Sequence, residues 1–163
     1  MPTSIIESLK QSVPLDELPE PTQCVRPAAD SDLTAICDFD RPIFGADRTR
    51  LITELWREHR ARCLIAHDEH GGMAGYLFAR DPVLGPWAAR DTDVAALLLS
   101  TALTLPFEHV PQVLVPRSNS LSAALLGRFG FVERRKLRHM RRGGSGPPGL
   151  PRQLYGQSSF GHG

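Results

Sequence analysis

The chain has 163 residues, 41% hydrophobic and 23% charged, with a formal net charge of +1. That length can bury a core without disulfide or metal staples, and the composition excludes wholly disordered, collagen-like and coiled-coil chains. Near-neutrality gives no global signal for nucleic acid or an anionic membrane, so neither is expected as a partner.

Reading from the N-terminus, Ser4 and Glu7 have capping-box spacing ahead of Ile5, Ile6, Leu9 and Val13, which predicts a short helix. Pro14, Pro19 and Pro21, set among Asp16, Glu17 and Glu20, read as a linker. Residues 1–24 are therefore expected to be a tail and linker, and residues 25–163 a single domain. Cys24 to Pro27 reads as a strand. Asp30 or Ser31 can cap a helix with Leu33, Ile36 and Phe39 on one face, and Arg41-Pro42 with Gly45 predicts its break. Leu51, Ile52, Leu55 and Trp56 give the helical spacing of a second helix starting near Asp47. Cys63–His67 and Met73–Ala79 form a hairpin through His70-Gly71-Gly72, where the glycines suit the positive φ of a tight turn.

Beyond the turn at Pro82 to Gly85, the stretch Gly85-Pro86-Trp87-Ala88 is extended. Asp91 caps a third helix running to about Thr104, and Pro106 stops it. Residues 94–105 are the most apolar run, but Ser100, Thr101 and Thr104 interrupt it and it is too short to span a bilayer. Gln112–Val115 is a strand. Asn119 caps a fourth helix burying Leu121, Leu125 and Phe129, and Gly130 ends it. Phe131–Arg141 is a long strand, Gly143–Pro151 a loop, and Leu154–Phe160 the last strand, with Tyr155, Gly156 and Phe160 closing the sheet and its core. The order β-α-α-β-β-β-α-β-α-β-β predicts an α/β (α+β) fold with a mixed, mostly antiparallel sheet of six or seven strands and four flanking helices.

Cys24, Cys37 and Cys63 are odd in number, widely spaced and without a CxxC or zinc spacing. Reduced thiols, no metal and a cytoplasmic location are the expectation. The first residues lack the basic and apolar regions of a signal peptide.

Particular residues resemble the GNAT acyltransferases. Val25-Arg26-Pro27-Ala28 followed by Asp30-Ser31-Asp32-Leu33 is similar to that family's opening, and Asn119 with Gly130-Phe131 to its ending. Asp40, Phe44-Gly45-Ala46-Asp47-Arg48, Leu51, Gly75-Tyr76, Leu84-Gly85-Pro86, Val115-Pro116, Met140 and Tyr155-Gly156 resemble the C-terminal half of two-domain, YitH-type GNAT proteins. The resemblance covers roughly residues 25–160. It implies acyl transfer from acetyl-CoA to an amine, which could be a small molecule or a peptide N-terminus. It also places the cofactor between the third helix and a splayed pair of strands, with its pyrophosphate at that helix's N-terminus.

Against that pattern, the phosphate loop Gly85–Asp93 lacks the family's later glycines and carries Asp91 and Asp93. Leu126 stands where many relatives have a proton-donating Tyr, and Leu84–Ala88 has no carboxylate to act as base. The candidate cofactor contacts are Trp87, Ala88, Arg90, Ser118 and Asn119. Asp47, Arg48 and Asp81 are candidates for the substrate cleft. Tyr76 and His67 are the candidates for proton transfer, His67 because the ordinary range of an imidazole suits base work. Each has an alternative: Asp47 a helix cap, Arg48 an ion-pair member, Tyr76 a packed aromatic, His67 a solvated strand end, Asp81 a turn residue, Asn119 a cap. Arg134, Arg135, Lys136, Arg138, Arg141 and Arg142 read as a solvated strand face. The alternative to an enzyme is a non-catalytic GNAT-fold domain that binds a ligand or pairs with a partner GNAT domain or a second copy.

Overall fold

Met73–Ala79 is apolar on both sides because helices cover both of its faces. Leu77 and Ala79 join a buried cluster with Val94, Leu98 and Leu99, while Tyr76 and Phe78 join another with Ile36, Ile52 and Trp56. Successive side chains of a strand point to opposite faces, so one apolar run serves two cores. The computed structural model describes residues 2–8, 24–138 and 149–159. In chain order these form β1 (Pro2–Ser8), β2 (Cys24–Pro27), α1 (Leu33–Phe44), α2 (Thr49–His59), β3 (Cys63–His67) and β4 (Met73–Ala79). They continue as β5 (Leu84–Ala89), α3 (Thr92–Leu103), β6 (Gln112–Pro116), α4 (Ser120–Arg128), β7 (Phe131–Arg138) and β8 (Leu154–Gly156).

The larger sheet has the order β2-β3-β4-β5-β8 and the smaller β6-β1-β7, with every ladder antiparallel. The two sheets meet at a parallel bridge between Val83 and Gln112, where the Gln112 amide donates to the Pro82 carbonyl at 2.7 Å. Helix α3 packs on β4 at Gly75, where a Cβ would lie 3.0 Å from both Leu98 Cδ1 and Val94 Cγ1. A side chain there would also crowd the Ala88 carbonyl of β5, 2.9 Å from that Cβ.

Four expectations change. The N-terminal segment is a strand, not a helix: Pro2–Ser8 lies between β6 and β7, with Ile5 opposite Leu114 and Arg135. A helix this short is marginal in water, whereas a slot between two strands pairs both rows of its backbone groups. Helix α1 does not break at Pro42 but continues to Phe44. It ends at Gly45, whose φ of 82° is the left-handed cap conformation that favours glycine. In α4, Leu121 is 46% exposed and Leu126 is fully buried with Leu125 and Phe129, so the apolar stripe runs through Ser122, Leu125, Leu126 and Phe129. Strand β8 stops at Gly156, earlier than expected, while the last residues of the expected strand 131–141 lie outside the described residues. Leu9 and Val13 of the expected helix, the expected linker from Pro14 to Pro21, Met140, Arg141, Arg142 and Phe160 lie outside the described residues, as does 143–148 of the expected Gly/Pro loop. Among the described residues, no helix is long and apolar enough to cross a membrane.

Candidate functional site

Two constellations gather the chemistry-bearing residues, one on each face of the larger sheet. The first grows out of the α1–α2 turn. Asp40 sits one helical turn before Phe44, and Gly45 reverses the chain so that Arg48 comes back onto Asp40. Arg48 donates from Nε to Asp40 Oδ2 at 3.0 Å and from Nη2 to Oδ1 at 2.6 Å, the two-pronged geometry that makes guanidinium–carboxylate pairs strong. The Tyr76 hydroxyl donates to the same Oδ1 at 2.6 Å. The guanidinium carbon lies 3.8 Å from the Phe44 ring centroid, and Phe39 and Phe78 meet Tyr76 edge-on. Asp40, Arg48 and Tyr76 are all buried.

Arg48 Nη1 is buried with no hydrogen-bond partner among the described residues. Burial pulls the guanidinium toward neutrality, but its bonds and attraction to Asp40 outweigh that and hold it charged. Burial, reinforced by the Asp40 charge, pushes the Tyr76 hydroxyl well above its ordinary range. Tyr76 is thus a neutral donor already engaged with Asp40.

The neighbouring candidates sit outside this cluster. Asp47 is exposed and precedes Arg48, the residue at the α2 N-cap; its Oδ1 accepts from the Thr49 amide at 2.8 Å, and hydrogen bonds from the Thr49 side chain and amide hold its carboxyl below the usual range. His67 is half-buried at the end of β3, two residues beyond Ile65, the partner of Tyr76. Asp81 accepts from the Glu108 and His109 amides at 2.6 and 3.3 Å. Those bonds lower its carboxyl's titration range and tie the β4–β5 turn to the loop after α3. The ligand atoms of Asp81, Glu108 and His109 lie within 4.8 Å of one another, all on exposed residues.

The second constellation is the wedge between β5 and β6, and it is filled by the chain itself. From Leu150, whose amide donates to the Ile43 carbonyl at 2.8 Å, the chain crosses to β8. That strand pairs with β5 through Gly156 opposite Trp87 and Leu154 opposite Ala88. On the far side the Gln157 amide donates to the Leu114 carbonyl of β6 at 2.9 Å. Tyr155 is fully buried, with its ring 5.2 Å from that of Trp87 and its hydroxyl 3.1 Å from Thr92 Oγ1, at the start of α3.

Asn119 holds the strand from below. Its Oδ1 accepts from the Ser122 amide, capping α4, and its Nδ2 donates to the Arg152 and Leu154 carbonyls at 3.1 and 3.0 Å. Ser122 Oγ donates to the Tyr155 carbonyl at 2.8 Å, while Ser118 is exposed. Trp87 Nε1 is buried without a partner among the described residues. At the α3 N-terminus, Asp91 caps through the Val94 amide at 2.9 Å. Arg90 is turned to Asp68 at 3.0 Å and Asp91 at 3.6 Å.

The sequence model of a family described as an acetyltransferase (GNAT) domain matches residues 36–156. The chain belongs to this GNAT family. No curated protein matches it. Among solved structures, a candidate acetyltransferase from Pyrococcus horikoshii is 18% identical over 99% of this chain and 52% of its own, with a TM-score of 0.71. A GNAT-family acetyltransferase from Colwellia psychrerythraea is 15% identical over 81% of this chain and 52% of its own, with a TM-score of 0.59. A GCN5-related N-acetyltransferase from Sphaerobacter thermophilus is 16% identical over 83% and 49%, also with a TM-score of 0.59. At these identities the likeness shows the GNAT fold, and the chain spans about half the length of each of these structures.

The residues do not fit the cofactor that this family generally uses. The wedge expected to take acetyl-CoA holds β8, and the α3 N-terminus presents Asp91 and Asp93 where phosphates would sit. Of the five candidate cofactor contacts, the structure brings Trp87, Ala88 and Asn119 together around β8. It leaves Arg90 and Ser118 on the surface. Of the cleft and proton-transfer candidates, only Arg48 and Tyr76 meet, and they meet through Asp40, which the motif contained but which was not singled out as a site residue.

Proposed function

We propose that the protein serves the transfer of an acyl group from acyl-CoA to an amine, as a GNAT N-acyltransferase domain that contributes the acceptor side. Family membership over residues 36–156 is the observation that carries this reading. The buried Asp40–Arg48–Tyr76 cluster locks the α1–α2 turn onto β4 and leaves the Asp47 carboxylate exposed beside it, ionised and 4.0 Å from Arg41 Nε, a cation that a substrate ammonium group would join or displace. Tyr76 and Arg48 act there as positioning residues, since both are buried and bonded to Asp40. Acyl-CoA would be held by a second GNAT unit, in keeping with a resemblance to the C-terminal half of YitH-type proteins. The acceptor would be a small-molecule amine or a peptide N-terminus, and the site of action the cytoplasm.

The filled wedge favours a second reading, a non-catalytic GNAT-fold domain that pairs with a partner GNAT domain. The two separate in an assay of thiol release from acetyl-CoA by the protein in its native assembly, over a panel of primary amines, amino acids and peptides. Amine-dependent release that falls at least tenfold with Asp47→Asn supports the acceptor role. No release with any amine leaves the pairing domain.

A further inference from the structure

A segment that closes over a ligand as a lid has few buried contacts and opens at low cost. Residues 150–158 are built the opposite way. Tyr155 belongs to the same buried cluster as Leu84, Trp87, Val94 and Leu126, so the fold's largest core would lose one of its bulkiest members if the segment left. The backbone around it is cut to fit. Gly85 has φ +150°, and a Cβ there would collide with the Gln157 carbonyl; a Cβ on Gly156 would lie 3.0 Å from the Leu84 carbonyl. Glycine at 85 is required for β5 and β8 to approach this closely, and glycine at 156 spares a tight contact there.

Trp87 Nε1 has no partner among the described residues, but other polar groups at the wedge are spent. Asn119 and Ser122 are bonded to carbonyls of residues 152, 154 and 155. The Leu114 carbonyl is taken by Gln157, and Arg80 donates to the Gly85 and Ser158 carbonyls. A pantetheine arm is a thin chain with two secondary amides, and it would need these same donors and acceptors. The Tyr155 hydroxyl, reaching Thr92, lies along the path from the wedge to the helix end where the pyrophosphate belongs.

We propose that β8 and its flanking residues are the permanent occupant of the wedge, so that this chain has no pantetheine channel of its own and needs its acyl-CoA presented by a second GNAT unit. The last clause rests on the acyl-transfer reading above; the occupancy does not. Hydrogen exchange of the purified full chain, followed by mass spectrometry with and without millimolar acetyl-CoA, tests it alongside calorimetric titration of the same cofactor. The expected result is no saturable heat. Peptides covering 150–159 should exchange as slowly as those of β4 and β5, with less than a twofold change on adding cofactor. Saturable binding with at least a tenfold change in exchange at 150–159 would show a displaceable lid and overturn the proposal. Exchange at 150–159 more than a hundredfold faster than in β5, without cofactor, would overturn it as well. Binding that leaves 150–159 unchanged keeps the occupancy and removes the need for a second unit. Failure of the acyl-transfer reading shows only in the amine assay and leaves the exchange pattern as it is.

Discussion

The Asp40 cluster and the β8 wedge lie on the same five-stranded sheet, and each is organised by residues of the GNAT-like motifs, yet they are held by different physics. Around Asp40, charge is buried and made tolerable by pairing: one carboxylate takes three bonds from Arg48 and Tyr76, and an unpaired member would be expensive. In the wedge, stability comes from aromatic burial and a short strand ladder, with polar side chains serving only to satisfy backbone carbonyls. Phe44-Gly45-Ala46-Asp47-Arg48 supplies the arginine of a buried ion pair with Asp40, and Gly85-Pro86 with Tyr155-Gly156 lets two backbones pack closely.

Asp40→Ala is the most direct way to break the first region. It leaves the Arg48 charge buried and unpaired, and the expected loss is about 3–5 kcal/mol in urea unfolding. Asp40→Leu combined with Arg48→Met should recover most of that loss. Equal instability of the single and double variants would show that the pair's charge is not the issue.

In the wedge the corresponding change is Tyr155→Ala, expected to cost about 3–5 kcal/mol as a buried aromatic is lost. Tyr155→Phe removes only the Thr92 contact and should cost about 1 kcal/mol. A Tyr155→Ala variant as stable as the parent would mean β8 is not part of the core.

Smaller than either alanine variant, though larger than Tyr155→Phe, is Tyr76→Phe, which removes one hydrogen bond to a charged acceptor and should lower stability by about 1.5–3 kcal/mol. If Tyr76 only positions, its effect on acyl transfer should follow this loss of stability rather than remove a limb of the pH–rate profile. Gly85→Ala should cost more than about 1 kcal/mol, because the native conformation disfavours a side chain. It should also raise hydrogen exchange at 150–159 without touching the α1–α2 turn.

Alkaline pH compares the regions with no mutation. Both tyrosines are pushed up, Tyr155 mainly by burial and Tyr76 by burial together with Asp40. A raised folded value stabilises fully below the unfolded one, near pH 10 for Tyr, and that contribution is lost as pH rises toward the folded value. Unfolding curves should therefore show stability falling above about pH 10. Tyr76→Phe should flatten the fall more than Tyr155→Phe; the reverse order would place the stronger perturbation in the wedge.

Several features were legible in the sequence because they depend on neighbours in the chain. The order of elements from β2 onward, the Asp91 and Asn119 caps, the Gly71 turn and the burial of Leu125 follow from local capping chemistry and periodicity. The missing glycines after Gly85 were also visible as a poor phosphate loop. What fills the wedge was not, because the register of Leu154–Gly156 against Trp87 and Ala88 joins positions nearly seventy residues apart.

Tertiary structure alone decided the N-terminal segment, whose sequence suits a helix but whose backbone finds two strands to pair with. It also decided that Asp40, Arg48 and Tyr76 would share one buried carboxylate. Composition and local pattern determined the order of elements from β2 to β8, because hydrophobic period and caps are written residue by residue. The occupant of the central cleft was determined by packing: two glycines, an asparagine and a tyrosine have no shared meaning until the fold brings them together.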